Sequence, residues 1–122
     1  MTEPRRTTVN GIDVAYLEAG PADGPLALCL HGFPEHAWSW RFQAPVLVDL
    51  GYEVWAPNLR GYGRSSRPGK IKDYHIDQLL ADVAGLIDAS GAKETVLIAH
   101  DWGAIIAWMF ATAAASEMGW EV

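Results

Sequence analysis

The sequence predicts an α/β fold in which an N-terminal β-hairpin leads into a parallel βαβαβα succession. Three observations predict it: an Asn10-Gly11 pair between two strand-like runs, three short apolar segments, and helical periodicity in the stretches that separate and follow them. Asn10-Gly11 lies between Thr7-Thr8-Val9 and Ile12-Asp13-Val14-Ala15-Tyr16-Leu17. A type I′ turn needs positive φ at both central residues, so this pair closes a hairpin.

After the turn-rich Gly20-Pro21-Ala22-Asp23-Gly24-Pro25, the run Leu26-Ala27-Leu28-Cys29-Leu30 is apolar throughout, as expected of a strand covered on both faces. Glu53-Val54-Trp55-Ala56 and Thr95-Val96-Leu97-Ile98-Ala99 read the same way. Strands alternating with helices imply a parallel sheet. The first helix is expected over 39–50 and stops at Gly51, with Phe42, Val46 and Leu50 sharing a face at spacings of four. Pro45 either kinks it or starts its regular part. The second helix places Ile76, Leu79, Leu80, Val83, Ala84 and Ile87 on one side, with Asp73 as N-cap and Gly91 as its stop. A third begins right after Asp101 and runs to about Ala115. Its apolar stretch, 104–115, suits a buried core helix and falls short of a membrane span of about 20 residues.

The 122 residues describe one domain, 9 Lys+Arg against 15 Asp+Glu give a formal charge of −6, and 50% are hydrophobic. A chain of this length buries roughly two thirds of its unfolded surface, so neither disulfides nor a metal is required. The acidic balance argues against nucleic acid and anionic membrane as partners. Arg60, Arg64, Arg67, Lys70 and Lys72 form a local basic run, expected to be a solvated loop. Cys29, the single cysteine, reads as a small buried hydrophobe. There is no disulfide framework, no Cys/His metal cluster, and no apolar stretch behind Arg5 and Arg6 that would make a secretory signal, so the default location is cytoplasmic.

Ala99-His100-Asp101-Trp102-Gly103 joins an apolar strand to an apolar helix with no room for a loop. Such a reversal pushes its apex side chain, Asp101, out at the carboxyl end of the sheet, and sets the Trp102 N–H at a helix N-terminus that favours negative charge. Taken alone, the pattern fits an N-cap aspartate equally well. His31-Gly32-Phe33-Pro34-Glu35 follows another buried strand, and its glycine and proline allow a sharp turn that aims the Phe33 amide toward the same edge. Two amides converging on one point make an oxyanion hole. Asn58-Leu59-Arg60-Gly61-Tyr62-Gly63-Arg64-Ser65-Ser66 has two of the three glycines of a dinucleotide fingerprint and opens no helix, so it reads as structure.

In this order and spacing, these three stretches resemble the N-terminal half of an epoxide hydrolase of the α/β-hydrolase fold, over about 9–111. The resemblance implies a truncated fold, with the lid and C-terminal strands absent, in which 1–122 is the N-terminal part of one domain and 112–122 a divergent tail. It implies that Asp101 is the nucleophile, that the backbone N–H groups of Phe33 and Trp102 form the oxyanion hole, and that both side chains help line the substrate pocket. His31, Gly32, Pro34, His100 and Gly103 belong to the structural motif. The implied substrate is a small-molecule epoxide, with no cofactor and no metal.

An aspartate, with an ordinary pKa of about 3.9, is charged at neutral pH and can open a strained epoxide to an alkyl-enzyme ester. Water then hydrolyses the ester to a diol with help from a histidine base and its acid partner, which in the family lie after the last strand. Lid tyrosines polarise the epoxide oxygen. None of these positions is present here, and Tyr52, Tyr62 and Tyr74 do not match the lid tyrosines, so turnover by the isolated chain is not expected. His31 and His100 read as turn supports, while His36 falls in the mouth loop and His75 in the first turn of the second helix. The tail lacks the next parallel strand, as a truncated or frame-shifted end would. The elbow strand would then expose a hydrophobic edge, and poor solubility is expected. A dehalogenase of the same fold is the enzyme alternative. Haloalkane dehalogenases carry asparagine where this chain has Phe33, and fluoroacetate dehalogenases carry arginine where it has Trp102. A non-catalytic or interaction fragment is the other alternative.

Overall fold

In the computed structural model of the chain, which describes residues 3–117 and 119–121, Asn10 and Gly11 take φ values of 48° and 76°. They close a two-residue turn between β1 (Arg5–Val9) and β2 (Ile12–Ala19), with Val9 opposite Ile12. β3 (Leu26–Leu30), β4 (Glu53–Pro57) and β5 (Thr95–Ala99) complete one mixed sheet in the order β1-β2-β4-β3-β5. β1–β2 and β2–β4 are antiparallel; β3 pairs with both β4 and β5 in parallel. All five residues of β3 are fully buried.

Side chains alternate across β3, and the two faces meet different helices. Ala27 and Cys29 face Val54, Ala56, Trp40 and α1 (Ala44–Asp49). Leu26, Leu28 and Leu30 face α2 (Ile76–Ser90) and α3 (Trp102–Ser116) through Val83, Leu86, Ile106 and Phe110. The chain moves outward from β3 to β4, then returns past β3 to β5. Right-handed crossovers in opposite directions put their helices on opposite faces and leave a crevice where the direction changes, beyond the carboxyl ends of β3 and β5.

The single helix expected over 39–50 is two pieces, a 3-10 turn at Ala37–Trp40 and α1, with Pro45 in the first turn of α1. Pro45 therefore starts the regular part. Phe42, Val46 and Leu50 share a face, but that face is exposed, at 72%, 59% and 69%. The smaller Ala44 packs against the sheet, flanked by half-buried Leu47 and Val48. Asp73 does not cap α2: it lies in its own 3-10 turn, Ile71–Tyr74, where its Oδ2 accepts the Lys70 N–H. His75 caps α2 instead, its Nδ1 accepting the Asp77 N–H at 3.3 Å, and Gly91 ends the helix at φ 72°. The basic run is not uniformly solvated either. Arg64, Arg67, Lys70 and Lys72 are exposed, whereas Arg60 is buried, its Nε and Nη2 donating to Asp82 Oδ2 and Oδ1 at 2.8 Å each. Cys29 is wholly buried, and burial pushes its thiol up to about 12. No helix among the described residues is long and apolar enough to cross a membrane.

Candidate active site

Parallel pairing of β3 with β5, ending at Leu30 opposite Ala99, brings the two sequence-predicted turns side by side. Only His100 and Asp101 separate β5 from α3. Asp101 takes φ 56° and ψ −125°, a backbone conformation that side chains rarely adopt. Gly103 makes the reversal possible, since a Cβ there would run into the Leu30 carbonyl and lie 2.5 Å from the His31 carbonyl oxygen. Gly32 is required as well: a Cβ on it would collide with the Asp101 Cβ and sit 2.8 Å from Oδ2.

A capping aspartate accepts from the second or third helical N–H. Asp101 occupies the N-cap position of α3 but makes no such bond. Its Oδ2 instead accepts the Phe33 N–H from the neighbouring turn at 2.9 Å, and the Trp102 N–H lies close enough to favour the same carboxylate's charge. These two amides, Phe33 first, hold the exposed carboxyl below its ordinary 3.8.

His31 and His100 tie the turns in different ways. Buried His31 accepts the Leu59 N–H at Nε2, 3.0 Å, so the proton sits on Nδ1, which donates to the Gly32 carbonyl at 2.9 Å. Burial holds its imidazole below 6.5. The Tyr62 ring meets His31 edge-on at 4.7 Å, and burial together with the Asp101 charge raises the Tyr62 phenol. Exposed His100 reaches Glu35 Oε1 at 3.0 Å, and the Phe33–Pro34 peptide is cis.

Beside Phe33 and Trp102, the residues that flank the carboxylate, lies a cavity of about 400 Å³, lined mainly by apolar and aromatic side chains such as Leu59, Tyr62, Tyr74 and Ile106, with Arg60 and Asp82 also on its wall. Phe33 and Trp102 thus join the carboxylate to an apolar, aromatic wall. Among the described residues no cluster of three or more His, Cys, Asp or Glu is arranged to hold a metal ion. Sequence reasoning missed Glu35 as a link between the turns, Tyr62 as a cavity wall, and the Arg60–Asp82 pair that lines the same cavity. The glycines around Tyr62 marked its loop, but no local signal marked its neighbours.

A carboxylate on a strand-to-helix turn, facing a second turn's amide across parallel strands, defines an α/β hydrolase. The family model for the alpha/beta hydrolase fold matches residues 25–118, and the chain belongs to that family. Within it, the chain is 49% identical over 104 residues to Epoxide hydrolase A of Mycobacterium tuberculosis, covering 85% of this chain and 32% of that protein. It is 46% identical to the AB hydrolase superfamily protein YfhM of Bacillus subtilis, covering 84% of this chain and 36% of that one. The crystal structure of Epoxide Hydrolase A from Mycobacterium thermoresistibile superposes with a TM-score of 0.86 at 49% identity, covering 89% of this chain and 34% of that one. An epoxide hydrolase from Bacillus megaterium, solved with a naphthyloxy-propane diol as its product, gives 0.85 at 37% identity, covering 91% and 38%. The epoxide-hydrolase resemblance of the sequence is borne out, and the chain spans about a third of the length of these relatives.

Proposed function

We propose that this chain carries the nucleophile half of an epoxide hydrolase. One observation carries the reading: an ionised carboxylate at a positive-φ turn, with Oδ2 held by the Phe33 N–H of the neighbouring turn and the Trp102 N–H favouring the same charge. Oδ2 accepts from Phe33, so Oδ1 is the oxygen left to attack. Attack of Oδ1 on one epoxide carbon forms a C–O bond and breaks the strained C–O bond, whose electron pair stays on the ring oxygen; that oxygen, still bound to the other carbon, takes its proton from solvent water. Oδ2 becomes the carbonyl oxygen of the resulting ester, already bonded to the Phe33 N–H, with the Trp102 N–H as the second donor of the hole on this reading. When water attacks the ester carbon, negative charge develops on that same oxygen, where preorganised donors count most. The aromatic cavity favours an epoxide with an apolar or aryl substituent.

The second step needs a base, and none of the four histidines hydrogen-bonds to Asp101. Both nitrogens of His31 are engaged, Nδ1 of His100 is held by Glu35, and Nδ1 of His75 caps α2. On this reading the 122 residues form the ester and stop. Incubated with excess styrene oxide, the chain is expected to gain one adduct on Asp101, read by intact mass and peptide mapping, and to lose it in Asp101→Ala. Catalytic diol release would overturn the arrest at the ester, and an adduct surviving in Asp101→Ala would overturn the nucleophile assignment.

A further inference from the structure

We propose that Glu35 is a positioning residue: one carboxylate oxygen fixes the register of the turn carrying Phe33 against the turn carrying Asp101. The proposal rests on the nucleophile reading of Asp101. Glu35 Oε1 accepts the Gly32 N–H at 3.1 Å and also meets His100 Nδ1 at 3.0 Å. Gly32 precedes Phe33 and His100 precedes Asp101, so this oxygen joins the residues directly before the donor and the acceptor of the Phe33 N–H to Oδ2 bond. The Glu35 N–H closes the same turn on the Gly32 carbonyl at 2.9 Å, which makes the carboxylate a rigid part of the Phe33 turn.

The tie matters because of where the sheet stops. The β3–β5 ladder ends at Leu30 opposite Ala99, and beyond it the His100 N–H to Leu30 carbonyl bond, 3.2 Å, is the last backbone link between the turns. Past that point the separation of Phe33 from Asp101 rests on side chains. A shift of a few tenths of an ångström weakens the 2.9 Å bond to Oδ2 and turns Oδ1 away from its line of attack. The groups facing Glu35 are His100, the Gly32 N–H and, farther off, His31; those facing Asp101 are the two amides, His100 and Tyr62.

Glu35→Ala, Glu35→Gln and His100→Ala test this with two probes. A water-soluble carbodiimide with a small amine, applied across pH and mapped by peptide, reads the protonation of Asp101 without reference to epoxide chemistry. Styrene oxide reads the rate of ester formation. In Glu35→Ala the Asp101 labelling midpoint should move to higher pH and alkylation slow by roughly tenfold, the size of one oriented hydrogen bond. Glu35→Gln, whose amide oxygen can still accept both bonds, should restore most of each. His100→Ala should shift both in the direction of Glu35→Ala. A folded Glu35→Ala with unchanged midpoint and rate overturns the proposal. Should Glu35→Ala fail to fold, an unchanged His100→Ala overturns it equally. A shifted midpoint with no alkylation in any variant, the parent included, sinks the nucleophile reading and leaves the tie standing.

Discussion

A non-glycine residue at φ 56° and ψ −125° holds that conformation only because its surroundings over-determine it, and at Asp101 those surroundings are Gly32, Gly103 and the two amides. The same amides keep the carboxylate charged below its ordinary 3.8. Attack by a carboxylate needs that charge, so alkylation per folded molecule should be flat from neutral pH down to about pH 5, where a carboxyl held below 3.8 is still charged. Folding responds to acid sooner. Buried His31 is held below 6.5, so its contribution to stability is fully present above that pH. It declines as pH falls from 6.5 toward the folded value, where the unfolded chain takes up the proton first. The melting temperature should therefore drop over a range in which the alkylation rate, corrected for the folded fraction, stays level. A rate that halves near pH 6 would show that a group other than Asp101 governs the attack.

Among the elements, the loop after β4 is held to α2 by a bidentate Arg60–Asp82 pair whose side chains are 4% and 8% exposed. Asn10 Nδ2 donates to Asp82 Oδ1 at 3.0 Å and Arg60 Nη1 to the Asp73 carbonyl at 3.0 Å, so the hairpin turn, the loop and α2 meet at one buried charge pair. Leu59, which bonds His31, is the next residue along. Removing one partner strands the other charge without solvent. Asp82→Ala should cost about 3–5 kcal/mol in urea unfolding, and the double change Asp82→Leu with Arg60→Met should recover much of it. A loss below about 1 kcal/mol for Asp82→Ala would mean that water already reaches the guanidinium.

Which of these features the sequence disclosed follows from their range along the chain. The Asn10-Gly11 turn, the Gly91 stop and the two site turns were legible because glycine, proline and a tight reversal dictate the backbone locally. The Arg60–Asp82, Leu59–His31 and Glu35–His100 pairs lie 22, 28 and 65 residues apart, and one sequence carries no record of such pairings. The α1 face misled for a related reason. Four-residue spacing shows that Phe42, Val46 and Leu50 share a side, whereas the close approach of α1 to the sheet selects the small Ala44 for contact.

At the scale of the whole molecule, β5 is the edge strand of the sheet among the described residues, paired there on its β3 side alone. Its inward neighbour is fully buried, yet Val96 is 41% exposed on the α1 face. On α3, which packs on the opposite face, Ile105, Trp108 and Met109 are 50%, 76% and 43% exposed. A hydrophobic strand with free N–H and carbonyl groups and no charge or proline along Thr95–Ala99 is a template for pairing with another chain. The 122-residue chain should therefore self-associate as concentration rises, read as scattering mass by static light scattering. Val96→Lys, which sets a charge on the strand and leaves Asp101 and the fully buried β3 core untouched, should lower that mass at equal concentration. Alkylation of Asp101 should survive the change, because the β3–β5 register that places Phe33 against it is set on the strand's other edge. A parent chain that stays monomeric and melts sharply would show that the open edge is protected.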